Sequence, residues 1–199
     1  MTSWIPAYAG MTGWQVGSKI PRLAIAFLSA LLLTMPCASV HAAPPTDYEV
    51  KAAFIHNIAK LVEWPAASHA GDSLRLCILG QSPLAQAAGS LAGKQVGELV
   101  WEVRPVDSRA NLQECRVLFI AASESGNLRR VLENIAGSAI LTVGDSDGYA
   151  ERGVMVNFYP EENKVRFEIN VDAAQRTGFK IGSQLLKLAR IIKESGGGK

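Results

Sequence analysis

The chain has 199 residues, 48% of them hydrophobic, and it carries 20 basic against 18 acidic residues. This near-neutral balance argues against nucleic-acid binding, which depends on basic side chains that neutralise phosphates. The length and the apolar fraction fit one globular domain with a sizeable core.

Residues 1–42 are predicted to form a secretory signal peptide. The segment 23–35 is apolar except for a serine and a threonine, and Lys19 and Arg22 precede it. It is shorter than the roughly 20 residues that a membrane-spanning helix needs. Small residues flank His41, so we expect cleavage after Ala42. Without Lys19 and Arg22, the 20 basic residues become 18 and equal the acidic ones.

The predicted mature protein is therefore residues 43–199, a single domain in the periplasm. A lipoprotein anchored at Cys37 is disfavoured, because Pro36 occupies a position where lipid attachment requires a small residue. Translation could begin at Met1 or at Met11, and either start leaves the same mature protein.

The first predicted elements alternate between helix and strand. Thr46 and Glu49 have the spacing of a capping box, which predicts a helix that ends before Pro65. The inward face of this helix is predicted to carry Val50, Phe54, Ile58, Leu61 and Val62. The next predicted elements are a strand over 74–79, a helix over 82–93, strands over 99–106 and 116–121, a helix over 125–135 and a strand over 139–143.

The later part of the chain is predicted to form a hairpin and two helices. Strands over 154–159 and 164–170 flank the turn at 160–163. A short helix over 172–177 and an amphipathic final helix over 183–193 follow. Continuous apolar strands such as 116–121 are typical of a parallel sheet that is covered on both faces. The predicted fold class is α/β, a three-layer sandwich with a Rossmann-like, mainly parallel sheet, a C-terminal β-hairpin and a final helix.

Cys77 and Cys115 remain after signal-peptide removal, an even pair in an oxidising compartment. They either form a disulfide or stay buried as free thiols. The strands that hold them are neighbours in a common doubly wound sheet order, which favours the disulfide. The bridge would close a loop of about 38 residues and stabilise the fold by roughly 3–4 kcal/mol.

Several motifs resemble catalytic or ion-binding patterns but fail on their context. The run 144–148 reads G-D-S-D-G, yet neither a helix nor a histidine follows it as in a hydrolase. It also lacks the distal glutamate of a calcium loop. The run 89–94 is one residue short of a phosphate loop. His56 has no second histidine or cysteine at metal-ligand spacing. We therefore expect no enzymatic activity, no metal and no cofactor.

The strand over 164–170 divides its side chains between two faces. One face carries Val165, Phe167 and Ile169, and the other carries Arg166, Glu168 and Asn170. The polar face either makes ordinary cross-strand pairs or forms a ligand or partner site. Arg152 or Lys180 would contribute to such a site.

The C-terminal segment has more large aliphatic residues than one helix face needs. They are Ile181, Leu185, Leu186, Leu188, Ile191 and Ile192. Either all six pack into the core or a homodimer, or some of them form an exposed interaction surface. Trp64 follows a predicted helix and adds a further apolar side chain. The candidate partner surface consists of Trp64, Leu186, Ile191 and Ile192.

Two parts of the sequence carry distinctive motifs. The first is the helix end at 57–65, N-I-A-K-L-V-E-W-P. The second is the run V-R-F-E-I-N at 165–170, which leads through Ala174 and Gly178 to the leucine-rich segment 181–189. Together they resemble the YfiR family of periplasmic regulators. The strands at 74–80 and 115–120 also resemble those of the family, so the resemblance covers about 48–192.

The resemblance implies an α/β fold and a non-enzymatic role in the periplasm. The best-known member restrains an inner-membrane diguanylate cyclase and is itself sequestered by an outer-membrane lipoprotein. By this resemblance the protein would control cyclic di-GMP and biofilm formation. Cys77 and Cys115 match positions that some members use for a redox-sensitive disulfide. This chain departs from the family at Gly182, where serine is usual, and it lacks a second cysteine pair.

Two function classes follow from the sequence. The first is a periplasmic protein, expected to be a homodimer, that binds and represses the periplasmic domain of a diguanylate cyclase. The second is a periplasmic small-ligand receptor with the same fold.

Overall fold

The structure, a computed structural model, describes residues 45–66 and 71–193. All of these residues belong to one compact unit, Pro44–Lys199, which contains its own hydrophobic core. The predicted signal peptide at 1–42 and Cys37 lie outside the described residues. Within those two ranges, no helix combines the length and the apolar character that crossing a membrane requires.

The described elements follow the predicted alternation of helices and strands. The helices are α1 (Asp47–Leu61), α2 (Leu84–Ala87), α3 (Leu128–Asn134), α4 (Val171–Arg176) and α5 (Ser183–Leu188). The strands are β1 (Val62–Glu63), β2 (Ser73–Leu79), β3 (Gln95–Val96), β4 (Leu99–Val106), β5 (Val117–Ile120), β6 (Leu141–Gly144), β7 (Val156–Glu161), β8 (Lys164–Asn170), β9 (Lys180–Ile181) and β10 (Arg190–Ile192). Short 3₁₀ turns lie at Ala88–Leu91, Leu112–Glu114 and Ala122–Glu124.

Eight strands form one sheet in the order β10-β8-β7-β6-β5-β2-β4-β3. The five strands from β4 through β2, β5 and β6 to β7 run parallel, and β8 returns antiparallel to β7 as the predicted hairpin. Glu162 and Asn163 have φ of 49° and 57° at the hairpin turn, the backbone conformation that two-residue hairpin turns need. Strands β1 and β9 form a separate antiparallel pair, which the sequence analysis did not predict.

Helices cover both faces of the sheet, which confirms the predicted three-layer α/β class. On β5, Val117 and Phe119 pack with the buried residues of α1. Leu118 and Ile120 point to the other face and pack with those of α3. A strand buried on both faces needs apolar residues at every position, and this explains the continuous apolar run in the sequence.

Helix α1 begins with the predicted capping box, and its predicted inward face is confirmed at Ile58 and Val62 but not throughout. The Glu49 backbone nitrogen donates to Thr46 Oγ1 at 3.3 Å, and Thr46 nitrogen donates to Glu49 Oε2 at 2.6 Å. The buried residues of the helix are Ala52, Ile55, Ile58 and Ala59. The predicted inward position of Leu61 is wrong, because 41% of this residue is exposed. The small alanines let α1 lie close to the sheet. The sequence prediction missed them because it assigned only large apolar residues to the inward face.

The predicted final helix over 183–193 is wrong in its second half. Helix α5 ends at Leu188, and Arg190–Ile192 form the edge strand β10, which runs parallel to β8. Ile191 and Ile192 are β-branched and favour a strand over a helix. The predicted helix over 82–93 is also shorter, since α2 has four residues before a 3₁₀ turn replaces it.

The predicted disulfide between Cys77 and Cys115 is confirmed. Cys77 lies on β2 and Cys115 precedes β5, and these strands are neighbours. The two Cα atoms are 5.7 Å apart. Cys77 is 2% exposed and Cys115 is 4% exposed, and both pack in the core on the α3 side of the sheet. The bridge is therefore shielded from solvent in the folded protein.

Candidate partner-binding surface

The C-terminal segment is fixed to the domain at both ends of α5. Leu185 is 2% exposed and belongs to the core that packs under α1. At the start of α5, a Cβ added to Gly182 would lie 3.1 Å from the Leu61 carbonyl oxygen. Glycine at this position therefore lets the end of α1 and the start of α5 lie unusually close. Helix α5 has no side-chain N-cap, because Gly182 at its N-cap position has no side chain that could accept from the first helical nitrogens.

A buried carboxylate attaches β10 to the sheet. Glu168 on β8 is 2% exposed, and its Oε1 accepts a 2.8 Å hydrogen bond from Asn157 Nδ2. Its Oε2 accepts from Arg190 Nε at 2.9 Å and also from Arg190 Nη2. The Arg190 guanidinium lies 4.1 Å from the centre of the Tyr159 ring. The hydrogen bond to Glu168 raises the pKa of Arg190, so this cation keeps its charge.

The polar residues predicted to form one site are divided among separate interactions. Arg166 faces Glu161 at 3.5 Å on the hairpin surface. Asn170 is buried, and its side chain caps α4 by accepting from Ala173 nitrogen at 2.8 Å and donates to Ala150. Asn170 thus supports the local backbone and is not available as a ligand group.

Two further predicted site residues lie apart from this group. Lys180 on β9 pairs with Glu63 at 3.4 Å, and both side chains are largely exposed. Arg152 donates from Nη2 to the Ser125 carbonyl oxygen at 3.0 Å, which places it beside the start of α3. The structure therefore does not bring Arg152 and Lys180 to the polar face of β8.

The predicted apolar partner surface is only partly exposed. Trp64 is half-buried, with its ring edge-on to Phe179 at 5.2 Å and its Nε1 donating to the Ala59 carbonyl oxygen at 2.9 Å. Leu186 and Ile192 are also half-buried. Leu188 and Ile191 are exposed, at 68% and 42%. Two large apolar side chains three residues apart thus face solvent beside the outer strand of the sheet.

We call the residues Leu188 and Ile191, with the outer backbone edge of β10, the C-terminal surface. Ile191 lies beside the buried Ile169 of β8, so it continues the apolar face of the sheet to the edge. An edge strand carries backbone hydrogen-bonding groups that another chain can pair with. Exposed aliphatic groups next to such an edge are suited to protein binding rather than to catalysis.

A buried ion pair that the sequence analysis missed lies at the opposite end of α1. Lys51 Nζ lies 2.7 Å from Asp145 Oδ2, with side-chain exposures of 14% and 6%. Asp145 belongs to the G-D-S-D-G run, and this run is a turn in the structure, as expected. The pair borders a cleft of about 690 Å³ under the hairpin turn. The sequence analysis could not predict this ion pair, because Lys51 and Asp145 lie far apart in the chain.

His56 makes a structural hydrogen bond. Its Nδ1 accepts a 2.9 Å hydrogen bond from Nε1 of the buried Trp101. Desolvation lowers the pKa of His56, and the nearby cations Lys60 and Lys94 lower it further. Among residues 45–66 and 71–193, no group of three or more histidine, cysteine or acidic residues is arranged to hold a metal ion.

Comparison with solved structures finds two similar chains, and the first of them supports the fold. A conserved domain protein from Vibrio cholerae O1 biovar El Tor matches with a TM-score of 0.54 and 11% identity, over 76% of this chain and 62% of that chain. An ABC domain in complex with L-Trp from Streptococcus pneumoniae matches with a TM-score of 0.49 and 12% identity, over 73% of this chain and 62% of that one. This chain thus spans about 62% of the length of each.

Comparison with protein families gives a match over most of the described domain. The YfiR/HmsC-like family matches residues 48–190, from the first turns of α1 to the first residue of β10. Both sequence runs that suggested the family, the end of α1 and the β8 strand, lie within this range. Members of the family are regulatory and non-catalytic proteins of the periplasm. The chain belongs to the YfiR/HmsC-like family.

Proposed function

We propose that this protein is exported to the periplasm, where it binds the periplasmic domain of an inner-membrane diguanylate cyclase and represses it. It would then limit cyclic di-GMP and biofilm formation by protein contact, without binding the nucleotide. The family match over residues 48–190 is the observation that carries this proposal.

The C-terminal surface is the part of the protein that we assign to the cyclase. Four large apolar residues among those described are exposed, and Leu188 and Ile191 are two of them. The other two, Leu61 and Val100, lie on α1 and β4. Leu188 is the most exposed of the four, and Ile191 lies on the edge strand β10 beside the buried Ile169. Apolar side chains at an exposed sheet edge are the usual anchors of a protein contact.

The test compares cyclic di-GMP levels in strains that differ only in this gene. Deletion should raise cyclic di-GMP and biofilm mass, and the wild-type gene should restore both. Leu188→Glu and Ile191→Glu should fail to restore them at normal protein levels, because a buried charge disrupts an apolar contact. Val100→Glu is the matched control, since Val100 is 37% exposed at the other end of the sheet. Unchanged cyclic di-GMP after deletion, with a cyclase present, would refute the proposal.

We further propose that the protein is a homodimer and that an outer-membrane lipoprotein competes with the cyclase for it. Both partners can be tested by pull-down from envelope extracts with the wild-type protein and Leu188→Glu. A shared contact surface predicts that the variant loses the cyclase and the lipoprotein together. Light scattering of the same two proteins reports whether the dimer also uses this surface. Retention of both partners by Leu188→Glu would place the contact elsewhere.

A further inference from the structure

A cleft of about 680 Å³ opens between α3, the turn at 149–153 and α4. Its size lies within the range of small-molecule sites. It is separate from the C-terminal surface, since neither Leu188 nor Ile191 lines it. Of the residues that the sequence singled out, it includes only Arg152.

The floor of this cleft is apolar. Ile135, Ile140 and Met155 line it with exposures of 5%, 3% and 3%. Thr142 also lines it, but its hydroxyl oxygen already accepts a 2.9 Å hydrogen bond from the Met155 backbone nitrogen. The threonine therefore presents mainly its methyl group. A thioether beside two isoleucines forms a surface that adapts to apolar ligands.

Arginines from three different elements surround this apolar floor. Arg129 comes from α3, Arg152 from the turn and Arg176 from α4. Glu133 and Glu151 also line the cleft, which leaves one net positive charge among its side chains. Arg129 is 90% exposed, and its 3.7 Å contact with Glu133 is a weak surface pair. The hydrogen bond to the Ser125 carbonyl holds Arg152 in place at the rim.

We propose that this cleft binds an amphiphilic carboxylate, with its apolar chain on the Ile135, Ile140 and Met155 floor and its carboxylate among the arginines. Guanidinium groups match the geometry of a carboxylate and bind it by charge-assisted hydrogen bonds. An apolar floor alone would accept any apolar molecule. The three arginines that line the cleft favour an anion over a neutral or cationic head group.

The test is calorimetric titration of the unit Pro44–Lys199 with sodium dodecanoate at concentrations where the probe is monomeric. Dodecyltrimethylammonium has the same chain with a cationic head and is the matched ligand. Dodecanoate should bind saturably at one site, and the ammonium at least about tenfold more weakly, because its charge faces arginines. The triple variant Arg129→Ala/Arg152→Ala/Arg176→Ala should lose at least about tenfold in dodecanoate affinity.

Two further variants separate loss of the site from loss of the fold. Arg129→Glu changes one exposed side chain, so it should keep the wild-type melting temperature while weakening dodecanoate binding. Arg109→Ala removes an exposed arginine that does not line this cleft and should bind as the wild type does. Equal binding of both probes, or an unaffected triple variant, would overturn the proposal. The measurement involves no cyclase, so its outcome is independent of the proposed repression.

Discussion

Trp101 is 2% exposed, and the hydrogen bond of its indole to His56 joins β4 to α1. Nδ1 can accept this hydrogen bond only in the neutral imidazole, whose proton is then on Nε2. Burial lowers the pKa of His56, and Lys60 and Lys94 add to that effect, which keeps the imidazole neutral near pH 7. A single residue thus makes the contact between α1 and the sheet sensitive to pH.

We predict that acidification destabilises the protein partly through His56. The unfolded chain binds this proton with an ordinary pKa of about 6.5, whereas the folded protein binds it less readily. The stability contributed by neutral His56 is therefore fully present above about pH 6.5 and is lost as the pH falls below that value. Urea unfolding at pH 7.5 and 5.5 measures the change.

His56→Gln should show a smaller loss of stability between these two pH values than the wild type. His69→Gln replaces the other histidine of the predicted mature chain and serves as the control. If His56→Gln and the wild type lose the same stability on acidification, folding does not lower the pKa of His56, and the prediction is wrong.

Strand β10 illustrates how tertiary contacts decide the structure of a whole element. By local pattern, residues 183–193 form one amphipathic helix, since leucines recur at helical spacing. The chain after Leu188 extends along β8, and in this conformation Arg190 binds the buried Glu168 carboxylate. Leaving that carboxylate unpaired would cost more than a few residues of helix propensity contribute.

We predict that Arg190→Ala lowers the free energy of unfolding by about 1–3 kcal/mol, because it removes charge-assisted hydrogen bonds from a buried carboxylate. Glu168→Gln in the Arg190→Ala background should recover part of this loss, since a neutral amide is less costly to bury unpaired. Urea unfolding of Arg190→Ala, of Glu168→Gln and of the double variant gives the coupling energy between Glu168 and Arg190. Arg104→Ala is the control, because its pairing with Glu102 is exposed. Additive effects at Glu168 and Arg190 would contradict the attachment of β10 by this pair.

The elements that the sequence predicted well are those whose signals are local. The α1 capping box, the hairpin of β7 and β8 and the strands buried on both faces follow from neighbouring residues. The inward face of α1 and the extent of α5 depend on packing partners far along the chain. The same division applies to the candidate sites. Arg166, Glu168 and Asn170 were correctly placed on one strand face, but their partners Glu161, Arg190 and Ala173 come from three different elements.

At the scale of the whole molecule, the sheet divides the interior into two cores. The larger core lies under α1 and continues to Leu185 of α5. The smaller core lies under α3 and contains the Cys77–Cys115 disulfide. The C-terminal surface adjoins the first core. The cleft near α3 is lined by residues of both cores, Met155 and Ala173 from the first and Ile135 and Ile140 from the second.

The disulfide is predicted to be structural in the folded protein. Its two cysteines are 2% and 4% exposed, so a thiol reagent reaches them only after the α3 side of the sheet opens. Dithiothreitol should therefore reduce the native protein much more slowly than the urea-denatured protein, as measured by alkylation and mass spectrometry.

Cys77→Ala/Cys115→Ala should lower the free energy of unfolding by up to about 3–4 kcal/mol, because the bridge restricts a 38-residue loop in the unfolded chain. Equal reduction rates in the two states would instead identify an accessible, redox-sensitive bond. In that case reduction at low dithiothreitol should also change the proposed cyclase repression, whereas a structural disulfide leaves that repression unchanged as long as the protein stays folded.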